Sequence, residues 1–355
     1  MVDPAHRRAR GTQRATLLAA SLIVGVFLNA GDAAGQTPAD DAINELRARG
    51  PSGANDDRTV DDWLNAQISV LSGADDARVA RDAFMDRLQG LRDAPDTTQG
   101  FRDTLAQRLG AVAAVEFGKG AALSLPVADA IARALVATED RQTVAGLKAA
   151  LSFPNAVVRY LGAEGLHQIR ESIAESDRRP ILDALRQRGL QEPNDVVIER
   201  IYMAMSFRTP SPVVLDAIGD VFAARVDRYR QTQVLGGSAE AGVMEYLARV
   251  PVPQAQGAKI VRALGPLLRI DVERYVAGGH APDVEVAIEL RVDACEGLLS
   301  HITGVNPSET VRGSMQAGGP AVAPTMQLAL IGWIGSAQTD GALTTNPWNV
   351  PRGAP

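Results

Sequence analysis

The chain has 355 residues, a formal net charge of −6 and a hydrophobic fraction of 46 %, enough for one elongated or two compact domains. Only 4 % of residues are aromatic, and the apolar content is largely Ala, Leu and Val, which argues against a β-sandwich or barrel. The single cysteine, Cys295, excludes an internal disulfide framework and a multi-cysteine metal site; no basic run follows residue 14, which argues against nucleic acid as a partner.

His6, Arg7, Arg8, Arg10 and Arg14 make a basic opening, and Ala15 to Leu28 (ATLLAASLIVGVFL) is uncharged and mostly apolar. Small residues follow, with Ala33 and Gly35 at the −3 and −1 positions of a cut before Gln36. This layout predicts a secretory signal peptide over residues 1–35, and hence export to the periplasm or beyond the cell. The rival reading is an uncleaved N-terminal membrane anchor, but 14 helical residues span only about 21 Å against about 30 Å of hydrocarbon. Cleavage would leave no integral membrane span and would take away four Arg and two Asp, for a mature charge of −8.

Residues 36–58 are rich in Asp, Ala, Gly and Pro and read as a flexible linker with a short helix over Asp40 to Arg49. Residues 59–123 read as an N-terminal helical region. Thr59-Val-Asp-Asp62 resembles a capping box before Trp63, Leu64, Ile68 and Leu71. Ser72 to Asp75 repeats the signal before Val79, Phe84, Leu88 and Leu91, and Pro95 and Asp96 break that helix. Phe101, Leu105, Leu109 and Val112 then mark one helical face. The doublets Asp56-Asp57, Asp61-Asp62 and Asp75-Asp76 read as helix caps rather than catalytic carboxylate pairs. GAVAAVEFGKG at 110–120 lacks P-loop spacing and reads as a helix with a glycine terminus.

From residue 124 to 303, apolar runs of helical period are punctuated by Pro126, Pro154, Pro180, Pro193, Pro212, Pro251 and Pro282, at or near helix starts. No sustained alternation of period two occurs, so the predicted class is all-α. PNAVV at 154–158 is echoed by PNDVV 39 residues on, and Val158-Arg159-x-x-Gly162-Ala163-x-Gly165-Leu166 by Leu290-Arg291-x-x-Ala294-Cys295-x-Gly297-Leu298, 132 residues on. Ala241 to Val250 is a weaker candidate for an intervening unit.

These phrases resemble the HEAT-repeat family, particularly the bacterial HEAT-like repeats. There the second helix of each pair typically reads Val-Arg-x-x-Ala-Ala-x-Ala-Leu after a short turn containing Asp or Pro. The likeness is good at 153–169 and 286–299 and fair at 193–205, where Ile198 replaces the arginine. The resemblance implies an α-solenoid of stacked helical pairs over 124–303, used to bind or scaffold another protein through a groove lined by second helices. Gly165 and Gly297 recur at one phase, which predicts a close helix contact at each. Arg159 and Arg291 are expected to serve the unit itself, by reaching carbonyls of a neighbouring turn or an acidic side chain.

Residues 304–336 read as loop followed by a capping helix over Thr325 to Gly335 with Leu328, Leu330, Ile331 and Trp333, and residues 337–355 as a disordered tail. His6, His167, His280 and His301 have no metal-site spacing, and Cys295 reads as a buried structural thiol. Neither Gly-x-Ser-x-Gly nor Ser-x-x-Lys occurs, and the loop LGGSAEAG at 235–242 is flexible with no catalytic partner near it in sequence. No catalytic, cofactor-binding or metal-ligating residue is assigned. The expected function is an exported, non-catalytic protein-binding or scaffolding module. The alternatives are a helical-toroid enzyme such as a polysaccharide lyase, disfavoured by the shortage of aromatics and histidines, and an accessory subunit of an envelope assembly.

Overall fold

Side-chain caps start many of the helices. Asp76 accepts from the amides of Arg78 and Val79, Asn155 from that of Val157, and Asn194 from those of Val196 and Val197. The Pro-Asn pairs of the repeated turns are therefore stop-and-cap signals: proline ends what precedes, and asparagine satisfies the orphan amides of the next helix. A computed structural model describes residues 38–231, 237–318, 321–345 and 347–352. The signal peptide expected over 1–35 lies outside the described residues.

The described residues form α-helices and short 3₁₀ turns, with no strand. The helices are α1 (Pro38–Arg49), α2 (Ala54–Gly73), α3 (Ala77–Asp93), α4 (Gln99–Gly118) and α5 (Leu125–Thr138). There follow α6 (Val144–Leu151), α7 (Ala156–Ile169), α8 (Glu175–Gln191), α9 (Asp195–Met205) and α10 (Pro212–Arg230). The last five are α11 (Ala239–Leu247), α12 (Gln254–Ala277), α13 (Pro282–Thr303), α14 (Val311–Ala317) and α15 (Val322–Ile334).

Packing follows a simple rule. From α2 to α13 each helix packs on the helix two places on, and most also meet a neighbour in sequence. One row runs α2, α4, α6, α8, α10, α12 and then α15; the other runs α3, α5, α7, α9, α11, α13 and α14. The core fills the space between rows with aliphatic side chains such as Leu109, Ile131, Leu147, Leu166, Ile201, Val221 and Leu264.

Several expectations are corrected. In the linker expected over 36–58, the short helix expected over Asp40 to Arg49 is present as α1, but the rest is not a flexible connector: the start of α2 occupies 54–58, and Ile43 and Leu46 of α1 are buried, 1 % exposed at each residue. The capping box at Thr59 to Asp62 is one turn and more inside α2; Thr59 donates its hydroxyl to the Asn55 carbonyl, and Asp61 pairs with Arg108. Pro180 sits inside α8 rather than near its start, and Pro266 inside α12. The loop at 235–242 becomes helix α11 from Ala239 onward; residues 235 and 236 lie outside the described ones. The disordered tail over 337–355 folds back through its described part. Ala342 and Leu343 donate to the carbonyls of Gly332 and Trp333, at 2.9 Å each, and Leu343 and Val350 are buried beside Gly265 of α12.

The two glycines at one phase differ. A methyl group on Gly165 would run into the Leu147 side chain of α6, so the glycine leaves room for that side chain between α6 and α7. Gly297 is exposed, and a Cβ there meets nothing within 4 Å. Only the first is a contact glycine. Gly165→Ala should therefore destabilise by about 1–3 kcal/mol through overpacking. Gly297→Ala should stabilise by about 1 kcal/mol through helix propensity alone. Thermal or urea melts of both variants check this, and equal effects would contradict it.

Candidate functional site

Arg159 stands one turn after the Asn155 cap, on the inner side of α7, and is 7 % exposed. Its Nε and Nη2 donate to the two carboxylate oxygens of Glu192 at 2.6 and 2.9 Å, and its Nη1 to the carbonyls of Phe153 and Pro154. Glu192 also accepts the Asn194 amide at 3.0 Å and lies 3.0 Å from Arg188. Burial pushes the Glu192 carboxyl up, but Arg159, the Asn194 amide and Arg188 outweigh it and hold the pKa below its ordinary value.

Arg291, at the same phase of α13, is fully buried. It grips Asp271 of α12 through Nε and Nη2, at 3.0 and 2.6 Å, and donates Nη1 to the Gly237 carbonyl before α11. The glutamates of the two phrases reach onward along the row. Glu164 lies 3.0 Å from Arg200 of α9. Glu296 accepts the amides of Val311 and Arg312 at the start of α14, at 2.9 and 2.8 Å, and the Trp333 indole N–H of α15 at 3.0 Å. So the repeated spelling marks joints: the arginine ties its helix to an acid and a carbonyl, and the glutamate engages the next unit.

Between these joints, α9 carries Ile198 where the phrase would place arginine, and α10 supplies the cation instead. Arg225 donates Nε to Glu240 at 2.8 Å and Nη2 to Asp195. Tyr229 donates its hydroxyl to Glu240 at 2.6 Å, and the Arg291 guanidinium lies 4.9 Å from the Tyr229 ring centroid. Arg228 donates to the carbonyls of Glu192 and Leu190, which links this cluster to the Arg159 joint. A polar seam thus runs inside the protein from α7 to α13. Burial alone would lower the pKa of Arg225 and Arg291, but Glu240 and Asp271 lift both above the ordinary value. Burial first, and then the Glu240 carboxylate, push the Tyr229 hydroxyl well up.

The side chains of Arg225, Glu240 and Arg291 are 0 % exposed and that of Asp271 is 1 % exposed, so no solute touches them. The work open to such groups is structural: they hold charge and direction. His167, His280 and His301 are far from forming a set, each beside a different backbone carbonyl, of Met203, Arg274 and Val250 respectively. Among the described residues no group of three or more His, Cys, Asp and Glu is placed to hold a metal ion. Cys295 is buried on the Leu264 carbonyl, and burial raises its thiol pKa well above the ordinary value. Asp76 caps α3 as expected, Asp56 accepts the Ser52 amide at the start of α2, and Asp61 is an ion-pair partner within the helix.

Arg225, Glu240, Tyr229, Asp195 and Asp271 were not singled out by sequence. The signal for two of them was present: Arg225 and Asp271 fall on the apolar phase of their helices, beside Val221, Phe222 and Tyr229 in one case and Leu267 and Leu268 in the other.

No protein-family model, curated protein or solved structure matches this chain. The geometry alone therefore carries the functional reading.

Removing one partner from a buried ion pair leaves the other charge stranded, at a cost of about 3–5 kcal/mol. Arg291→Ala and Arg159→Ala should both lower the thermal midpoint steeply. Arg186, 46 % exposed beside Asp220, should tolerate alanine within about 1 kcal/mol. A wild-type melt for Arg159→Ala would overturn the structural role. In the same cluster, the Tyr202 hydroxyl is buried without a hydrogen-bond partner among the described residues. Tyr202→Phe should then be neutral or stabilising by about 1 kcal/mol, and a clear loss in urea unfolding would show that the hydroxyl has a partner.

Proposed function

We propose that this chain is an exported HEAT-like α-solenoid, and that it binds another protein, without catalysis, along the surface of α7, α9 and α11. The observation that carries the reading is the packing, from α2 to α13, of each helix on the one two places on, with arginine–carboxylate joints at repeated positions. Stacked arrays of this kind present long surfaces while their stability stays inside, between neighbouring units.

On the proposed surface, half-buried side chains hold one another in place. Arg200 lies over the Tyr160 ring at 5.3 Å and beside Glu164. His167 Nδ1 is 3.1 Å from the Met203 carbonyl, and Tyr246 donates its hydroxyl to the Phe207 carbonyl at 2.8 Å. Tyr, Arg and Met are residue types enriched where proteins meet, and side chains already ordered lose less entropy on binding. The mixed signs on this surface and the net charge of −6 favour a protein partner over nucleic acid. The basic opening and short apolar stretch before Gln36 support export.

Two measurements test the reading. A photo-crosslinking residue at Gln168 or Glu199, both exposed on α7 and α9, should capture the same partner from native cell-envelope extract, and one at Gln187 of α8 should not. Capture from Gln187 alone would place the interface on the other row. Intact mass of the protein from its native compartment should show the loss of residues 1–35, and a full-length membrane-bound product would favour the anchor.

A further inference from the structure

The sequence from Gly313 to Pro351 carries a single charged residue, Asp340. Within it, α15 buries Met326, Ala329, Leu330, Trp333 and Ile334 against the body of the protein. Its other side faces outward: Leu328 is 59 % exposed and Ile331 38 % exposed, and no described helix covers them. Beside this ridge, between α15 and the last turns of α12, lies a groove of about 520 Å³ whose apolar walls include Val272, Val276 and Ile331. The groove's lining also includes Arg269 and Glu273, paired with each other at 2.7 Å.

We propose that α15 and this groove form the interface of a homodimer. A two-fold interface uses one patch twice, so the patch must complement itself. Here an apolar ridge and an apolar groove lie side by side, and a two-fold axis between two copies sets each Leu328 ridge into the other's groove. The charges are self-complementary in the same way. Arg269 and Glu273 lie one turn apart on α12, so an antiparallel approach brings Arg269 of each copy toward Glu273 of the other. A partner with a strong net charge gains nothing from such a rim. An anionic lipid surface is a poor occupant too, because residues 313–351 offer it no Lys or Arg.

The size of the patch sets the strength. The 13 residues of α15 make a helix about 20 Å long, and with the lip of α12 they give a few hundred Å² per copy, below the roughly 800 Å² of a standard interface. The dimer is therefore weak and concentration-dependent. The proposal stands apart from partner binding along α7, α9 and α11, since it uses different helices.

Sedimentation velocity of the purified full chain tests it, across concentrations from low to high micromolar. The wild type should pass from monomer toward dimer. Leu328→Glu should weaken association about tenfold or more while keeping the wild-type thermal midpoint, because the site is exposed. Glu273→Arg should also weaken it, and adding Arg269→Glu to that variant should restore it, a rescue that only a self-pairing rim provides. A wild type that stays monomeric throughout would overturn the proposal. So would association unchanged by Leu328→Glu, or a monomer that uses Leu328 to co-sediment with vesicles of zwitterionic lipid.

Discussion

One guanidinium joins three helices. Arg225 projects from α10 and holds Asp195 at the start of α9 and Glu240 in the first turn of α11. Taking these ions out of water costs several kcal/mol each, and only well-placed partners offset that cost. A one-residue slide of α10 would strand the charge. The helices on either side are therefore held to one register, and apolar packing alone, which tolerates many arrangements of Leu, Ile and Val, would not enforce it. The Arg159–Glu192 and Arg291–Asp271 pairs apply the same constraint on either side, and Arg228 and Tyr229 connect the three into one seam.

How much of this was legible in the sequence depended on range. Short-range rules worked where a residue's partner lay within a turn or two: Asp76 caps its helix, and Phe101, Leu105 and Leu109 share a buried face. The structural role of Arg159 and Arg291, reaching an acid and a carbonyl, was legible because the same phrase occurs twice. Composition misled at both ends of the chain. Residues 36–58 and 337–355 are rich in small and polar residues, yet Ile43 and Leu46 in one, and Leu343 and Val350 in the other, suffice to dock their described parts. Gly297 shares a phase with Gly165 but not its crowding, because no side chain of a neighbouring helix takes the place of Leu147 there. Glu240 was hidden by its glycine-rich surroundings. Its partner Arg225 lies 15 residues earlier in another helix, so no local pattern links them.

The division of labour suits the proposed use. Arg225, Glu240, Asp271 and Arg291, which fix the architecture, are sealed inside the protein, out of reach of any ligand. The half-buried Tyr160, Arg200 and Met203 face the surface and are free to recognise a partner without disturbing the seam. At the far end, α15 has no charged residue in its 13 positions and presents Leu328 outward, a face that solvent alone does not favour.

The central claim is that the seam couples α9, α10, α11 and α13 into one cooperative unit. Native-state hydrogen exchange on Arg225→Met tests it most directly, since methionine keeps the packing volume and removes the charge. Amide protection should fall together in α9, α10, α11 and α13, while α2 to α4, which share no bond with the seam, keep theirs. Loss of protection confined to α10, or no loss at all, would contradict it.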